Sequence, residues 1–332
     1  MARYLEPMTL DVRGRIGVDV EEATMTGTDE RASGDLPTRS QDLAELIGRW
    51  TTDANTVETA VPGLTLHRWD APTENTSYLL GPSICLIGQG AKRVLLGDET
   101  YVYDKGSFLL SAVDLPITAR IIEASPSHPY FGVNLLLDLQ AIAQLVLDHP
   151  TLSKHDRPDQ LGIAVGRLTL SVQEPVIRLV SLLATPDDIP VLAPLIKREI
   201  YYRLLVGEQG VRLAQMLSSE SHAHKIARAV DWLRQNYRSR LSIDDLAAKA
   251  GLSVSAFHSN FRAVTALSPL QFQKKMRLSE ARRLMFTENK DASTAAFEVG
   301  YESPSQFSRE YRRLFGDSPR RDIQSLIQVS AR

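Results

Sequence analysis

Two groups of polar side chains recur near the C-terminal end of this 332-residue chain, at an offset of 50 positions. The first group is Ser255, His258, Ser259 and Arg262, and the second is Ser305, Gln306, Ser308, Arg309 and Arg312. An arginine can donate two hydrogen bonds to guanine, a glutamine can form two hydrogen bonds with adenine, and a serine can form a hydrogen bond with a base or a phosphate. These residue types therefore indicate hydrogen bonding to nucleic acid, with Arg309 as the leading candidate to contact a base.

The two groups belong to an internal repeat. The segments that start at Ser253 and Ser303 share six of seventeen residues. Both serines suit helix N-caps, and the aromatic residues that follow at i+4 continue into one apolar stripe in each copy. A short predicted helix ending at Gly251 or Gly300 precedes each copy. We therefore predict two helix-turn-helix motifs, at about 243–264 and 291–314.

The spacing of the two motifs is compatible with one face of a DNA duplex. Residues 269–287 predict a single connecting helix, whose nineteen residues span roughly 28 Å. Such a helix can hold two recognition helices near one turn of B-DNA, about 34 Å, apart. A helix pair inside an ordinary bundle explains one copy equally well, but two copies favour DNA binding.

Charge is distributed unequally along the chain. Residues 222–332 carry 19 Lys and Arg against 11 Asp and Glu, whereas the whole chain has a net charge of -2. The positive charge of this region favours binding to a polyanion, whereas the negative charge of the remainder opposes it. The side chains that we expect at phosphates are Arg262, Arg312, Arg313, Lys274, Lys275, Arg320 and Arg321. Helix N-termini at Ser242, Ser268 and Ser318 can add backbone donors.

The N-terminal part of the chain has a different pattern. Residues 1–38 predict a flexible tail, and residues 64–137 contain short alternating segments that predict an antiparallel sheet or barrel. Helical periodicity follows, with two apolar faces that consist of Leu139, Ile142 and Val146, and of Val176, Leu179 and Leu183. These helices offer a dimer surface, and we expect one face to be buried in the barrel and another in a second copy of the chain. Residues 207–222 predict a linker.

The residues from Val299 to Arg309, closed by Phe315-Gly316-Asp317-Ser318-Pro319, resemble the second-motif signature of the AraC/XylS family. The region from Gly81 to Leu137 is similar to the cupin-like N-terminal domain of one AraC-type subgroup. The resemblance implies an α+β fold, with a cupin-like β-barrel and flanking helices at 39–206. It also implies an all-α domain of seven helices, with both helix-turn-helix motifs, at 223–328. One departure is that Ala292 or Ser293 replaces the usual aliphatic residue at the start of the second motif.

The same resemblance implies a transcription regulator. Its N-terminal domain would sense a small-molecule effector and dimerise, and its C-terminal domain would bind double-stranded DNA. The expected partners are therefore DNA, an effector and a second copy of the chain, with RNA polymerase as a further candidate. Candidate effector-binding residues are Tyr101, Tyr103, Phe108 and Arg120, together with Cys85; a role of these side chains in the barrel core is the alternative.

Other classes of protein fit the sequence less well. A cupin-type enzyme with a helical accessory domain is the alternative, but such metal sites need clustered ligands, and His67 and His128 are isolated in the sequence. We therefore expect no catalytic residues, no metal and no cofactor. Cys85 is the only cysteine, so no intrachain disulfide can form. The absence of an apolar run of about 18 residues predicts a cytoplasmic protein without a membrane span.

Overall fold

The computed structural model describes residues 36–149, 162–217 and 221–330. Most of the predicted flexible tail, residues 1–35, lies outside the described residues. Helix α1 (Leu36–Trp50) begins before the predicted end of that tail. It packs closely on the first sheet, because a β-carbon at Gly88 would lie 2.9 Å from the backbone nitrogen of Ala44. The segment next to the tail is therefore part of the folded domain.

Antiparallel strands occupy the N-terminal domain, as the alternating segments predict. They are β1 (Thr56–Glu58), β2 (Leu64–Trp69), β3 (Thr76–Leu80), β4 (Ser83–Gln89), β5 (Ala91–Leu96), β6 (Glu99–Asp104), β7 (Ser107–Ser111), β8 (Leu115–Glu123), β9 (Tyr130–Leu136) and β10 (Ile163–Arg167). One sheet has the order β1-β2-β9-β4-β7-β10, and the other has the order β3-β8-β5-β6.

The predicted cupin-like β-barrel takes the form of two antiparallel sheets. Within the described strands, no hydrogen-bonded ladder joins one sheet to the other. Buried side chains of both sheets belong to one apolar cluster, which includes Cys85, Tyr103, Val94 and Ile117. Packing of the two apolar faces therefore holds the domain together without full closure.

Helices complete the N-terminal domain after β9. They are α2 (Leu139–Asp148), α3 (Leu170–Ser181), α4 (Ile189–Val206) and α5 (Gly210–Leu217). Both predicted apolar faces are buried inside the chain: Ile142, Val176 and Leu179 are buried, whereas Leu139 and Val146 are partly buried. Burial of one face within the domain is as predicted, but the prediction that the other is buried by a second copy is wrong, because helical periodicity shows which face is buried and not what covers it.

The predicted linker also contains regular structure. Helix α5 occupies residues 210–217 and buries Leu213 and Met216. Residues 218–220 lie outside the described residues. The boundary between the two domains stays a prediction, but the chain that crosses it is largely helical.

Seven helices form the described C-terminal domain. They are α6 (His222–Asn236), α7 (Ile243–Lys249), α8 (Val254–Thr265), α9 (Pro269–Thr287), α10 (Ala292–Glu298), α11 (Pro304–Phe315) and α12 (Pro319–Ser330). The hydroxyls of Ser253 and Ser303 accept from backbone N–H groups at the starts of α8 and α11, as predicted. Gly300, with φ of +90°, makes the turn of the second motif, where a β-carbon would clash with the carbonyl oxygen of Arg238.

The two domains contact each other directly. The backbone N–H of Gly162, beside β10, donates to the carbonyl of Val264 at 2.7 Å. Nε of Arg234 lies 3.4 Å from a carboxylate oxygen of Asp114. Strands β3 and β8 also pack against α9. The connecting helix between the two motifs is therefore in contact with the second sheet. None of the helices in the described ranges is long and apolar enough to span a membrane.

Candidate nucleic-acid interface and ligand cavity

Helix α8 separates apolar and polar residues onto opposite faces. Phe257, Phe261 and Val264 are buried. The predicted DNA-contacting side chains Ser255, His258, Ser259 and Arg262 are all exposed. The burial of the aromatic stripe fixes the rotation of this helix, so the polar group is presented outward together.

Helix α11 repeats this arrangement. Phe307 and Tyr311 are buried, and the outward residues are Ser305, Gln306, Arg309, Arg312 and Arg313, with Ser308 partly exposed. Within the part of the chain that the structure describes, Arg262, Arg309, Arg312 and Arg313 make no side-chain hydrogen bond and no ion pair. The exposed guanidinium groups of both helices can therefore contact a ligand without breaking an existing pair. Arg320 and Arg321, at the start of α12, are also exposed.

Glu310 connects several elements around the second recognition helix. Its carboxylate accepts from Lys274 Nζ at 2.9 Å, from the Tyr301 hydroxyl at 2.8 Å and from Gln306 Nε2 at 3.2 Å. Although burial opposes ionisation, these hydrogen bonds lower the pKa of Glu310. Lys274 and Gln306, which we predict at DNA, are therefore paired within the protein in this structure.

Lys275, the second lysine that the sequence predicts to contact a DNA phosphate, has a different environment. Lys275 is partly buried, and burial lowers its pKa even though the carboxylate of Asp98 opposes that shift. Asp98 belongs to the turn between β5 and β6. Lys275 thus faces the N-terminal domain, whereas Arg309 is exposed.

Two arginines that sequence reasoning missed hold the C-terminal domain together. Arg277 donates to the backbone carbonyls of Tyr237, Arg238, Ser239 and Gly300. Arg282 makes a bidentate pair with Asp322 at 2.7 and 2.8 Å, and its guanidinium lies 4.6 Å from the centre of the Phe315 ring. No sequence signal separates these arginines from the exposed ones, because the partners lie about 20 to 40 residues away in the chain.

A cavity of about 830 Å³ lies between the two sheets and extends to the C-terminal domain. Its lining includes Cys85, Tyr103 and Arg120, which are candidate effector residues from the sequence, together with Phe315 and Leu326 of the C-terminal domain. Tyr101 and Phe108, the other two candidates, are not part of this lining. Phe108 is buried in the sheet against Gly166. Tyr101 is partly exposed.

The inner end of the cavity carries a lysine that sequence reasoning missed. Lys92 Nζ lies 3.2 Å from the Tyr78 hydroxyl, and both side chains line the cavity. Burial and the nearby Lys92 ammonium lower the pKa of His67 to about 4. Burial raises the pKa of Tyr130 to about 12. At neutral pH the imidazole and the phenol are therefore uncharged.

Cys85 and the histidines do not form a reactive or metal-binding group in this structure. Burial raises the pKa of the Cys85 thiol, which lies 3.4 Å from Asn134 Oδ1 and remains protonated at neutral pH. His67 Nδ1 lies 3.1 Å from the Thr56 hydroxyl. Among the residues with described positions, no group of three or more His, Cys, Asp or Glu side chains could hold a metal ion.

The arrangement of helices defines a two-domain protein in which a sheet domain with a cavity precedes a double helix-turn-helix domain. Residues 60–212 match the AraC-type transcriptional regulator N-terminus, and residues 246–324 match a helix-turn-helix domain. The chain belongs to the AraC/XylS family.

The sequence similarity to curated relatives covers only part of each relative's length. The transcriptional regulator ExsA of Pseudomonas aeruginosa is 27% identical over 143 residues, covering 43% of this chain and 51% of ExsA. The transcriptional activator RhaS of Pectobacterium carotovorum is 26% identical over 106 residues, covering 32% of this chain and 38% of RhaS. This chain therefore spans about half or less of the length of these two relatives.

Solved structures of ToxT from Vibrio cholerae resemble both domains together. The structure bound to (E)-4-(8-methylnaphthalen-1-yl)but-3-enoic acid has a TM-score of 0.56 and 11% identity, covering 78% of this chain and 97% of ToxT. A ToxT structure with bound unsaturated fatty acid has a TM-score of 0.52 and 12% identity, covering 80% and 97%. At such low identity, the similarity shows a shared fold alone.

Proposed function

We propose that this protein is a sequence-specific DNA-binding regulator of transcription. The observation that carries the proposal is the pair of recognition helices α8 and α11. Each buries an aromatic stripe and presents serine and arginine side chains outward, and Arg262 and Arg309 have no protein partner among the described residues. Arginines of this kind can bind guanine edges or phosphates when a recognition helix enters the major groove. The regulator names of ExsA and RhaS support the same class.

We further propose that a small molecule in the cavity controls the protein. The cavity is lined by both domains, so a bound molecule would contact the sheets and the DNA-binding domain at once. Such a ligand can shift the position of the DNA-binding domain only if it binds two arrangements with unequal affinity. Direct contact with Phe315 and Leu326 supplies a physical basis for this difference.

A homodimer, rather than a monomer, is the proposed working form. Helix α4 exposes several large apolar side chains, with Val191 at 66% and Leu195 at 61% exposure. A second copy of α4 would cover this surface through a symmetric contact. RNA polymerase remains a further proposed partner, and the cytoplasm the proposed location. We assign no enzymatic activity, because the relatives named above are regulators.

Genomic footprinting of the full chain, compared with Arg309→Ala, tests the proposal. We expect the wild-type protein to occupy a small set of related sites and the variant to lose most of them. Arg39→Ala serves as the control, because Arg39 is an exposed arginine of helix α1 that pairs with Asp42 in the N-terminal domain. Binding spread evenly over the genome, or a set of sites unchanged in Arg309→Ala, would contradict the proposed role of α11.

A further inference from the structure

The apolar core is divided on the connecting helix α9. Phe272 and Met276 belong to a cluster that also contains the sheets and the first helix-turn-helix motif. Leu278 and Ala281 belong to a second cluster, which includes buried residues of α10 and α11. Among the residues with described positions, no buried side chain belongs to both clusters. The two motifs are therefore separate packing units, and the apolar core alone does not fix the angle between them.

Arg277 lies on α9 at this division and contacts both packing units. Its Nε and Nη2 donate to the carbonyl oxygens of Tyr237, Arg238 and Ser239, at distances of 2.6 to 3.1 Å. These carbonyls belong to the segment between α6 and α7, which leads into the first motif. Nη1 donates to the carbonyl oxygen of Gly300, in the turn of the second motif, at 2.9 Å. One guanidinium group therefore joins the first motif to the second.

The neighbouring polar side chain on α9 contacts the first unit without this bridge. Gln273 is buried one turn before Arg277, and its Nε2 donates to the carbonyl oxygens of Tyr237 and Ser239 at 3.0 and 2.8 Å. Both acceptors lie on the side of the first motif. A guanidinium has five donors in a rigid fork, whereas a lysine has three on a flexible stem. Arg277 thus supplies a rigid connection that Gln273 does not.

The contact continues from the turn of the second motif to its recognition helix. The backbone of Gly300 approaches that of Arg238 so closely that a β-carbon would clash with the carbonyl oxygen. The next residue, Tyr301, places its ring centre 6.0 Å from the Arg277 guanidinium. The Tyr301 hydroxyl donates to Glu310 of α11 at 2.8 Å. A change at Arg277 is therefore transmitted to α11 through one intervening side chain.

We propose that Arg277 is a positioning residue that sets the spacing between the two DNA segments bound by α8 and α11. Successive major grooves on one face of B-DNA lie about 34 Å apart, so each added base pair moves the second segment by about 3.4 Å and rotates it around the duplex. A connecting helix that bends freely would accept several spacings, whereas a fixed junction accepts one. Arg277 thus contributes specificity without contacting a base. This inference rests on the proposed function, since it concerns how that regulator selects its sites.

Selection from random DNA tests the proposal on the full-length protein. Duplexes with about 40 random base pairs, enough for several helical turns, are selected by binding and then sequenced. We expect the wild type to enrich two short segments at one spacing, and Arg277→Met to enrich the same segments at several spacings. Insertion of one base pair between the segments should weaken wild-type binding about tenfold and Arg277→Met binding less than about threefold. A single spacing in Arg277→Met, with the wild-type loss on insertion, would overturn the proposal.

Arg282 supplies the matched control. It is also an arginine of α9, but its bidentate partner Asp322 lies on α12, inside the second unit. Arg282→Met should lower the Tm and keep the single spacing. If Arg277→Met does not unfold in one cooperative transition, Arg277→Lys and Arg282→Lys replace the pair, because lysine keeps the charge without the fork of donors. Several spacings in both members of a pair would assign the effect to general loosening of the domain and contradict the role of Arg277.

A distance measurement without DNA distinguishes this inference from the proposed function. Nitroxide labels are attached at Ser255→Cys and Ser305→Cys, which are exposed and equivalent positions of α8 and α11, in a Cys85→Ala background. In pulsed electron paramagnetic resonance, we expect the distance distribution of Arg277→Met to be about twice as wide as that of the wild type, because α9 then bends more freely. A wider distribution, together with no DNA sequence enriched by the wild type, removes the proposed function and leaves the junction role of Arg277 in place. Specific DNA binding with equal widths and one spacing in both proteins removes only the inference about Arg277.

Discussion

Nζ of Lys274 lies 2.9 Å from Oε1 of Glu310 and links the long connecting helix α9 to the second recognition helix α11. The sequence predicts that Lys274 contacts a phosphate. In the structure, its ammonium instead compensates a carboxylate that lies one turn after Gln306. Lys274 can therefore support DNA binding indirectly, because an uncompensated Glu310 would repel the phosphates.

A double-mutant cycle separates the two roles of Lys274. We expect Lys274→Ala to weaken binding to all DNA sequences, and Lys274→Ala/Glu310→Gln to recover most of the loss, since the repelling charge is gone. Affinities are measured over a series of salt concentrations. If Lys274 contacts phosphate directly, the double variant stays weak and the salt slope falls by about one.

Arg309 should contribute to base recognition. We expect Arg309→Ala to weaken specific binding by about 1 to 3 kcal/mol and to relax the preference at one base pair. The measurement is a competition assay with every single-base variant of an occupied site. An unchanged preference at every position would mean that α11 has a different orientation in the groove.

Gly97 should control the contact between the domains. Its φ is +60°, and a β-carbon there would lie 2.7 Å from the carbonyl oxygen of Ala266, just after α8. We expect Gly97→Val to cost about 1 to 3 kcal/mol through backbone strain and to separate this contact. Thermal unfolding and limited proteolysis between the domains measure both effects. Gly106→Val is the control, because Gly106 lies in an exposed turn without such a close neighbour; equal effects of the two variants would contradict the role of Gly97.

His67 should make stability depend on pH. Burial and Lys92 lower its pKa from 6.5 to about 4, so the unfolded chain takes up a proton at a higher pH than the folded chain does. Stability from this group is therefore present above pH 6.5 and is lost as the pH falls toward 4. We expect a loss of about 2 kcal/mol between pH 7 and pH 5 in urea unfolding, absent from His67→Gln. An equal loss in the variant would assign the pH dependence to other groups.

The exposed face of α4 should hold the homodimer. Leu195→Glu places a charge in the proposed contact, where its desolvation is unfavourable, and should shift the protein to monomers in sedimentation velocity experiments at micromolar concentration. Leu147→Glu is the control, since Leu147 is also an exposed leucine, at 72%, but lies on α2. Dimers that persist in Leu195→Glu would place the dimer contact elsewhere.

The sequence predicts the C-terminal domain better than the N-terminal domain for a physical reason. The N-cap serines Ser253 and Ser303 and the turn glycine Gly300 act through neighbours only a few residues away, so local sequence encodes these features. Closure of the sheets depends on pairing between distant strands. The same limit explains the wrong dimer surface, because Val176 and Leu179 show a buried face without showing what covers it.

The candidate cavity could be predicted only in part. Tyr103 and Arg120 line it, but Lys92 looks like an ordinary polar residue in the alternating segment Lys92-Arg93-Val94. The period of two along β5 places Lys92 on the same face as the buried Val94 and Leu96. The sequence does not show that this face borders a cavity, because the cavity is formed by residues from distant strands and from the C-terminal domain.

The contribution of α11 and α12 to the cavity has a consequence for protein engineering. A chimaera that joins residues 36–217 to an unrelated DNA-binding domain would lose the part of the cavity wall that Phe315 and Leu326 supply. In such a fusion protein, a ligand bound in the cavity would be partly exposed to water and would not contact the DNA-binding domain. To change the DNA sequence that this chain binds, the outward residues of α11 should therefore be substituted and its inward residues retained.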